Sequence, residues 1–282
     1  MRKPVYTIAL FLGLLVSQTA QAQNEQVTLY VPNFVRPLVE KWVTEYQKTN
    51  TQVDFQFVSG KSQNRDNNII FTTDDDALAF ARFAVLPVTA KASKAQQLIG
   101  SHRLNSKKLK NLFFVKEDYD EEEDDNRETE LHIYSGSSQQ SVSHFFARYF
   151  KQEDINYKGK KISGDDSFLN TAISRDTWGV TANLIPNIFD LQSRQVREGL
   201  ALLPLDIDKQ GKQVLSEGCL DDIIALLENQ TYGEIPVGKV GLAYNHANPV
   251  LNDFVQWIMI YGTQYVHEFG LLELPKKDLA QK

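Results

Sequence analysis

The sequence predicts an α/β protein, built either as one large domain or as two lobes with cores of their own. Three observations carry this. Strand, polar loop and helix recur in turn along the chain, 282 residues suffice for either arrangement, and a composition of 42% hydrophobic and 23% charged residues is that of an ordinary globular protein.

The first residues are set apart from the fold. Arg2 and Lys3 give a positive start, Ile8 to Val16 is apolar but too short to cross a bilayer, and Ala20-Gln21-Ala22 fits a small-x-small cleavage site. Residues 1–22 are therefore expected to be an export signal cut after Ala22. No other segment is long and apolar enough to span, so the mature chain is expected to be soluble and not membrane-spanning. Cys219, the only cysteine, lies too far from the cleavage site to carry a lipid there and has no partner for an internal disulfide. A periplasmic protein is the simplest destination. Cleavage removes two positive charges and takes the formal charge from −6 to −8. An acidic surface argues against nucleic acid, and any anion bound here must be held by local dipoles.

Val27, Leu29 and Val31 alternate with polar residues and predict the first strand. After the polar elbow Asn33-Phe34, the residues Val39, Trp42, Val43 and Tyr46 recur at helical spacing. A helix start presents unpaired N–H groups and a partial positive charge, so this elbow is a candidate anion dock as well as an ordinary connection. Val53, Phe55 and Phe57 form a second strand, ending in Ser59-Gly60-Lys61-Ser62. The third, Ile69 to Phe71, ends in Thr72 to Asp76, and a helix capped by those residues is expected from Ala77. Polar loops at the carboxyl ends of strands are where open α/β sheets bind ligands.

A second unit begins near Leu86-Pro87-Val88. Asn105 or Ser106 caps a helix carrying Leu109, Leu112 and Phe113, and the acidic run Glu117 to Glu130 reads as a solvated loop, with protein docking or cation binding as the alternative. The strand His132 to Tyr134 leads through Ser135 to Ser141 into a helix bearing Phe145, Phe146 and Tyr149. That polar row is either a ligand loop or a solvated cap for the next helix. Gly179 to Thr181 and Leu200 to Leu203 are further strands, and the chain returns near Ile235 to Gly238. Asn248 caps the final helix, with Pro249 in its first position and Val250, Leu251, Phe254, Val255 and Ile258 on its apolar face.

Asp206-x-Asp208-x-Gln210-Gly211, followed by Glu217, has the spacing of a calcium-binding EF-hand loop, although Gln210 and Lys212 fit that pattern poorly. A structural calcium site and a plain turn are the two readings. No cofactor is required by any other motif. Nucleophile elbow, phosphate loop and zinc motif are all missing from the sequence, and His102, His132, His144, His246 and His267 lack metal-ligand spacing. Asp165-Asp166 reads as a helix cap before Phe168 and Leu169 rather than an acid-base pair. Catalysis is not expected.

The stretch Phe34-x-x-Pro37-x-x-x-Lys41-Trp42-x-x-x-Tyr46-Gln47-Lys48, followed by Val53-x-Phe55-Gln56, resembles the start of the periplasmic phosphate-binding proteins of ABC transporters. The segment KISGDDSFLNTAISRDTWGVT and the closing DFVQWIMIYGTQYVHEFGLLEL are similar to later parts of the same proteins. The resemblance implies the type II periplasmic-binding-protein fold, with two lobes, each a mixed sheet flanked by helices, closing over a small oxyanion or polar solute. It divides the mature chain into 23–86 (first lobe), 87–236 (second lobe, with the acidic loop 117–130) and 237–282 (return to the first lobe). It also implies an ABC permease as partner.

Position by position, the family's first elbow corresponds to Asn33 and Phe34, and its second turn to Ser59, Gly60, Lys61 and Ser62. Its proton-accepting carboxylate falls at Asp74 or Asp75. Its second-lobe Arg-x-x-Gly-Ser-Gly-Thr is replaced by Ser135, Gly136, Ser137, Ser138, Gln139, Gln140 and Ser141, with glycine where the arginine stands. Loss of a bidentate arginine removes a charge-assisted contact worth about 1.5 to 3 kcal/mol. Lys61 offers charge without the planar fork. The expected readings are therefore a solute-binding protein that captures a small oxyanion or a polar solute, the latter held by amides and hydroxyls, or a scaffold that no longer binds a small anion and serves as an envelope interaction protein.

Overall fold

A computed structural model describes residues 25–275 except 59, 61, 63, 101, 116–129 and 139. The expected signal and its cut after Ala22, most of the acidic run, and Ser59, Lys61 and Gln139 of the candidate site lie outside the described residues.

Strand β1 (Glu25–Tyr30) pairs in parallel with β2 (Val53–Val58) on one side and β3 (Asn68–Thr72) on the other. Between β1 and β2 runs helix α1 (Arg36–Gln47), whose Leu38, Val39, Trp42, Val43 and Tyr46 face inward at the predicted spacing. Trp42 is fully buried, donates its indole N–H to the Gly262 carbonyl at 2.7 Å and packs edge-on to Phe80. That bond ties the return segment to the first lobe.

A helix after Ala77 does not form. Leu78–Ala90 is instead a 13-residue strand, β4. Its alanines favour helix in isolation, but the strand is flanked on both sides and nine of its 13 residues are buried, so packing overrides local propensity. Residues 78–84 pair antiparallel with β11 (Val237–Ala243), which in turn pairs with β3. Residues 85–89 pair with β7 (Gly179–Leu184), beside which lie β5 (His132–Gly136) and β6 (Lys160–Ile162), both parallel. The short β10 (Leu200–Leu202) covers residues 88–90. Pro87 stands between the stretches paired with β11 and β10, where a missing N–H is tolerated. One continuous sheet therefore runs through both halves, and β4 changes partner between Ala84 and Val85. A separate two-stranded ribbon joins β8 (Phe189–Asp190) to β9 (Gln195–Val196).

The second half is clad by α2 (Lys94–Ile99), α3 (Ser106–Phe113), α4 (Val142–Tyr149), α5 (Ser167–Ser174) and the short α6 (Ile185–Ile188). Asn105, not Ser106, caps α3, accepting from the Lys108 amide. Asn248 caps the last long helix, α9 (Pro249–Ile260), as the sequence predicts.

The calcium loop is not formed. Asp208 is the N-cap of helix α7 (Lys209–Glu217), accepting from the Gly211 amide at 2.7 Å and from the Gln230 and Tyr232 side chains. Asp206 pairs with Lys212, and Gln210 and Glu217 lie inside the helix. Helical geometry spreads side chains around an axis rather than wrapping them about an ion, and the capping Asp with a helix-ending Gly218 imitates the loop spacing. Helix α8 (Leu220–Asn229) follows directly. Among the described residues no group of acidic, histidine or cysteine side chains is arranged to hold a metal, and no helix is long and apolar enough to cross a membrane.

Candidate ligand cleft

The carboxyl ends of β1, β3 and β5, and the loop after β2, point into one cavity of about 720 Å³. Its size falls in the range of small-molecule sites. First-half residues Asn33, Phe34, Gly60, Ser62 and Asp74 face second-half residues Ser138, Gln140 and Ser141 across it. These candidates, far apart in sequence, are brought together.

Three others are not. Ser135 belongs to β5 and its side chain is fully buried in the protein, where its Oγ has no hydrogen-bond partner. The strand runs two residues further than the sequence reading allowed, so this serine faces the interior and not the cleft. Ser137 turns toward β6, where its hydroxyl meets Ser163, and Asp75 does not line the cavity, whereas Asp76 does.

Several lining residues escaped sequence reasoning: Arg65, Asp76, His144, Arg148, Asp165, Asp166 and Asn187. His144 is held through Nδ1 by Asp154 at 2.7 Å. The Asp165-Asp166 pair does serve the start of α5, since Asp165 accepts from the Ser167 amide at 2.8 Å. Its other contacts are the unexpected ones. Asp165 also accepts from the Asn33 side chain at 2.6 Å, a bond between the two sides of the cleft. Asp166 accepts from the Ser141 hydroxyl and, at 2.8 Å, from the Val142 amide, the first of helix α4.

The amino end of α4 is thereby fully engaged. Val142 gives its N–H to Asp166, Ser143 gives its own to the Ser141 hydroxyl, and His144 bonds back to the Ser141 carbonyl. An arginine at position 136 would not fit this packing. A Cβ on Gly136 would lie 1.9 Å from Ser141 Oγ and 3.2 Å from Asp166 Oδ1. The glycine permits strand β5 to run against the helix start, and the Gly136 amide donates to Ser143 Oγ.

The two carboxyls are perturbed in opposite directions. Burial pushes Asp166 above the ordinary carboxylate range, only partly offset by its bonds from Ser141 and Val142, and the Asp165 charge adds to the rise. Burial pushes Asp165 up as well, but bonds from Ser167 and Asn33 outweigh it and leave this carboxyl below the ordinary range. The rest of the lining carries both signs. Arg65 and Arg148 stand exposed on opposite sides, with Asp74 and Asp76 on the first-half rim.

Comparison with protein-family models finds no match, and comparison with curated proteins finds none. Solved structures do match in fold. An ABC-type phosphate transport receptor from Vibrio cholerae superposes with a TM-score of 0.58 at 10% identity, covering 89% of this chain and 100% of its own. A Clostridium perfringens protein solved with bound phosphate, assigned as a phosphate ABC transporter substrate-binding protein, gives 0.56 at 12% identity, with coverage of 89% and 100%. A hydrogen peroxide-bound OxyR mutant from Corynebacterium glutamicum gives 0.53 at 11% identity, covering 93% of this chain and 71% of its own. These three solved structures thus share one architecture with this chain. At such identities the likeness is one of fold, and the fold is the two-lobed type II periplasmic-binding-protein fold, with mixed sheets flanked by helices.

Proposed function

We propose that this chain is a non-catalytic solute-binding protein, exported by cleavage of residues 1–22 and working in the periplasm with an ABC permease, whose lobes close over a small polar solute. The observation that carries this reading is the convergence of strand-end loops from both halves on one cavity lined by amides, hydroxyls and charges of both signs. Arg65 and Arg148 suit an acidic group on the solute, while Asp74, Asp76 and Asp165 suit its hydroxyl or amine donors. Lobe closure excludes water and strengthens each such contact.

Thermal-shift titration against separate sets of oxyanions, organic acids, amino acids and sugars tests the reading. A ligand at a hundred times its Kd stabilises the fold by about 2.7 kcal/mol, so one set is expected to raise Tm with a saturating dose response. Flat responses across all four sets would overturn it. They would favour the second reading, an envelope interaction protein that keeps the scaffold without a solute. The Asn33–Asp165 bond favours that alternative, because it joins the two sides of the cleft directly and takes up polar groups that a solute would use.

A further inference from the structure

We propose that Asp165 and Asp166 act as an internal counter-ligand that determines specificity: they occupy the Asn33 side-chain amide on one side of the cleft and the Ser141 hydroxyl and Val142 amide on the other, so that inorganic oxyanions are rejected and solutes presenting hydrogen-bond donors are accepted. The inference rests on reading the cleft as the ligand site. Its ground is the pairing of two consecutive carboxylates with the two docks. Asp166 takes the Ser141 hydroxyl and the first amide of α4 from one side. Asp165 takes the Asn33 amide group from the other, 132 residues away in sequence.

A tetrahedral oxyanion is recognised by N–H and O–H donors, and helix starts supply them. Here the donors at the α4 start are already spent, the Val142 amide and Ser141 hydroxyl on Asp166 and the Ser143 and His144 amides on Ser141, and a second anion brought to that end would meet two carboxylates at close range. The Cβ space at Gly136, closed by Ser141 and Asp166, leaves no entry for a compensating side chain from the strand. What Asp165 offers to the cavity is acceptor capacity, which neutral hydroxyls and ammonium groups satisfy without bringing a second negative charge beside it, as phosphate and sulfate would. Selectivity of this kind is built on repulsion of the wrong ligand rather than on attraction of the right one.

The test is calorimetric titration of the protein with inorganic phosphate and with sulfate at low salt, for the unaltered chain, Asp166→Ser and Asp166→Asn. The unaltered chain is expected to bind both more weakly than millimolar. Asp166→Ser, which frees the Val142 amide, is expected to bind phosphate at least tenfold more tightly. Asp166→Asn keeps the shape of the contact, its amide oxygen accepting from Val142 and its amino group donating to Ser141, so it is the variant most certain to fold. Loss of the charge alone is expected to improve phosphate binding about threefold. Micromolar phosphate or sulfate binding by the unaltered chain, or no gain in Asp166→Asn and in a folded Asp166→Ser, would overturn the proposal. Either result leaves the solute-binding reading standing, since that reading fails only if no class of solute stabilises the fold.

Discussion

Asp165 and Asp166 are neighbours in the chain and opposites in chemistry, and the difference has a sign that can be followed. A carboxyl whose folded pKa lies above its unfolded value holds protons more readily in the fold, so its contribution is complete in acid and declines as pH rises past the ordinary carboxylate range toward the raised value. Asp166 is of this kind. Asp165 is the reverse: its contribution is present above the ordinary range and is lost as pH falls through its depressed value. Asp166→Asn is therefore expected to hold or raise Tm at pH 7 relative to the unaltered chain and to flatten the decline that sets in as pH rises above the ordinary carboxylate range. Asp165→Asn, which weakens the bonds from Ser167 and Asn33, is expected to lower Tm at pH 7 and to matter least in strong acid. Differential scanning fluorimetry across pH 3 to 8 reads both, and parallel curves for the two variants would contradict the assignment.

Among the elements, those with a strong local signal were legible in advance. The alternation of Val27 and Leu29 and the helical spacing of Val39, Trp42, Val43 and Tyr46 appear in the structure where the sequence puts them, as does the Asn248 cap, and of the two candidate caps for α3 the structure uses Asn105. Strand β4 was not legible, because burial on both faces erases alternation and leaves an alanine-rich run that reads as helix. The same limit applied to the site. Polar loops at strand ends could be found from pattern alone, and most of them reach the cleft. The partnership of Asn33 with Asp165 could not, since nothing local to either residue encodes a contact between separate halves. The calcium spacing failed for a related reason: a capped helix start and an ion-binding loop use similar acidic spacing, and only the backbone separates them. The junction of β5 with α4 carries the element-scale prediction. Gly136→Ala places a methyl within clash distance of Ser141 and so forces the helix start from the strand. Overpacking of this sort costs about 1 to 3 kcal/mol. Chemical denaturation is expected to show a lower midpoint with an unchanged slope, and an unchanged midpoint would mean that α4 moves aside freely.

At the scale of the molecule, the chain crosses between its halves in β4 and again at the start of β11, where Val85 takes a bond from its amide to the Pro236 carbonyl. On the proposed solute-binding reading, these two adjacent crossings serve as the hinge about which one half rocks against the other. Near that hinge the halves are also joined by rings: Phe34 meets Phe83 edge-on at 5.5 Å, and Phe83 meets Phe145 of α4 at 4.7 Å. Across the cleft the Asn33–Asp165 bond spans the two halves. An exposed bond of this kind is worth about 1 kcal/mol, a factor of about five in an equilibrium. Asn33→Ala is therefore expected to shift the free protein toward an open form by about that factor while the aromatic contacts keep the hinge intact. Small-angle scattering should register a larger radius of gyration for the variant, and a bound solute should return both proteins to the same value. If the variant scatters like the unaltered chain in every condition, the lobes are held by the ring contacts alone, and the polar bridge has no part in closure.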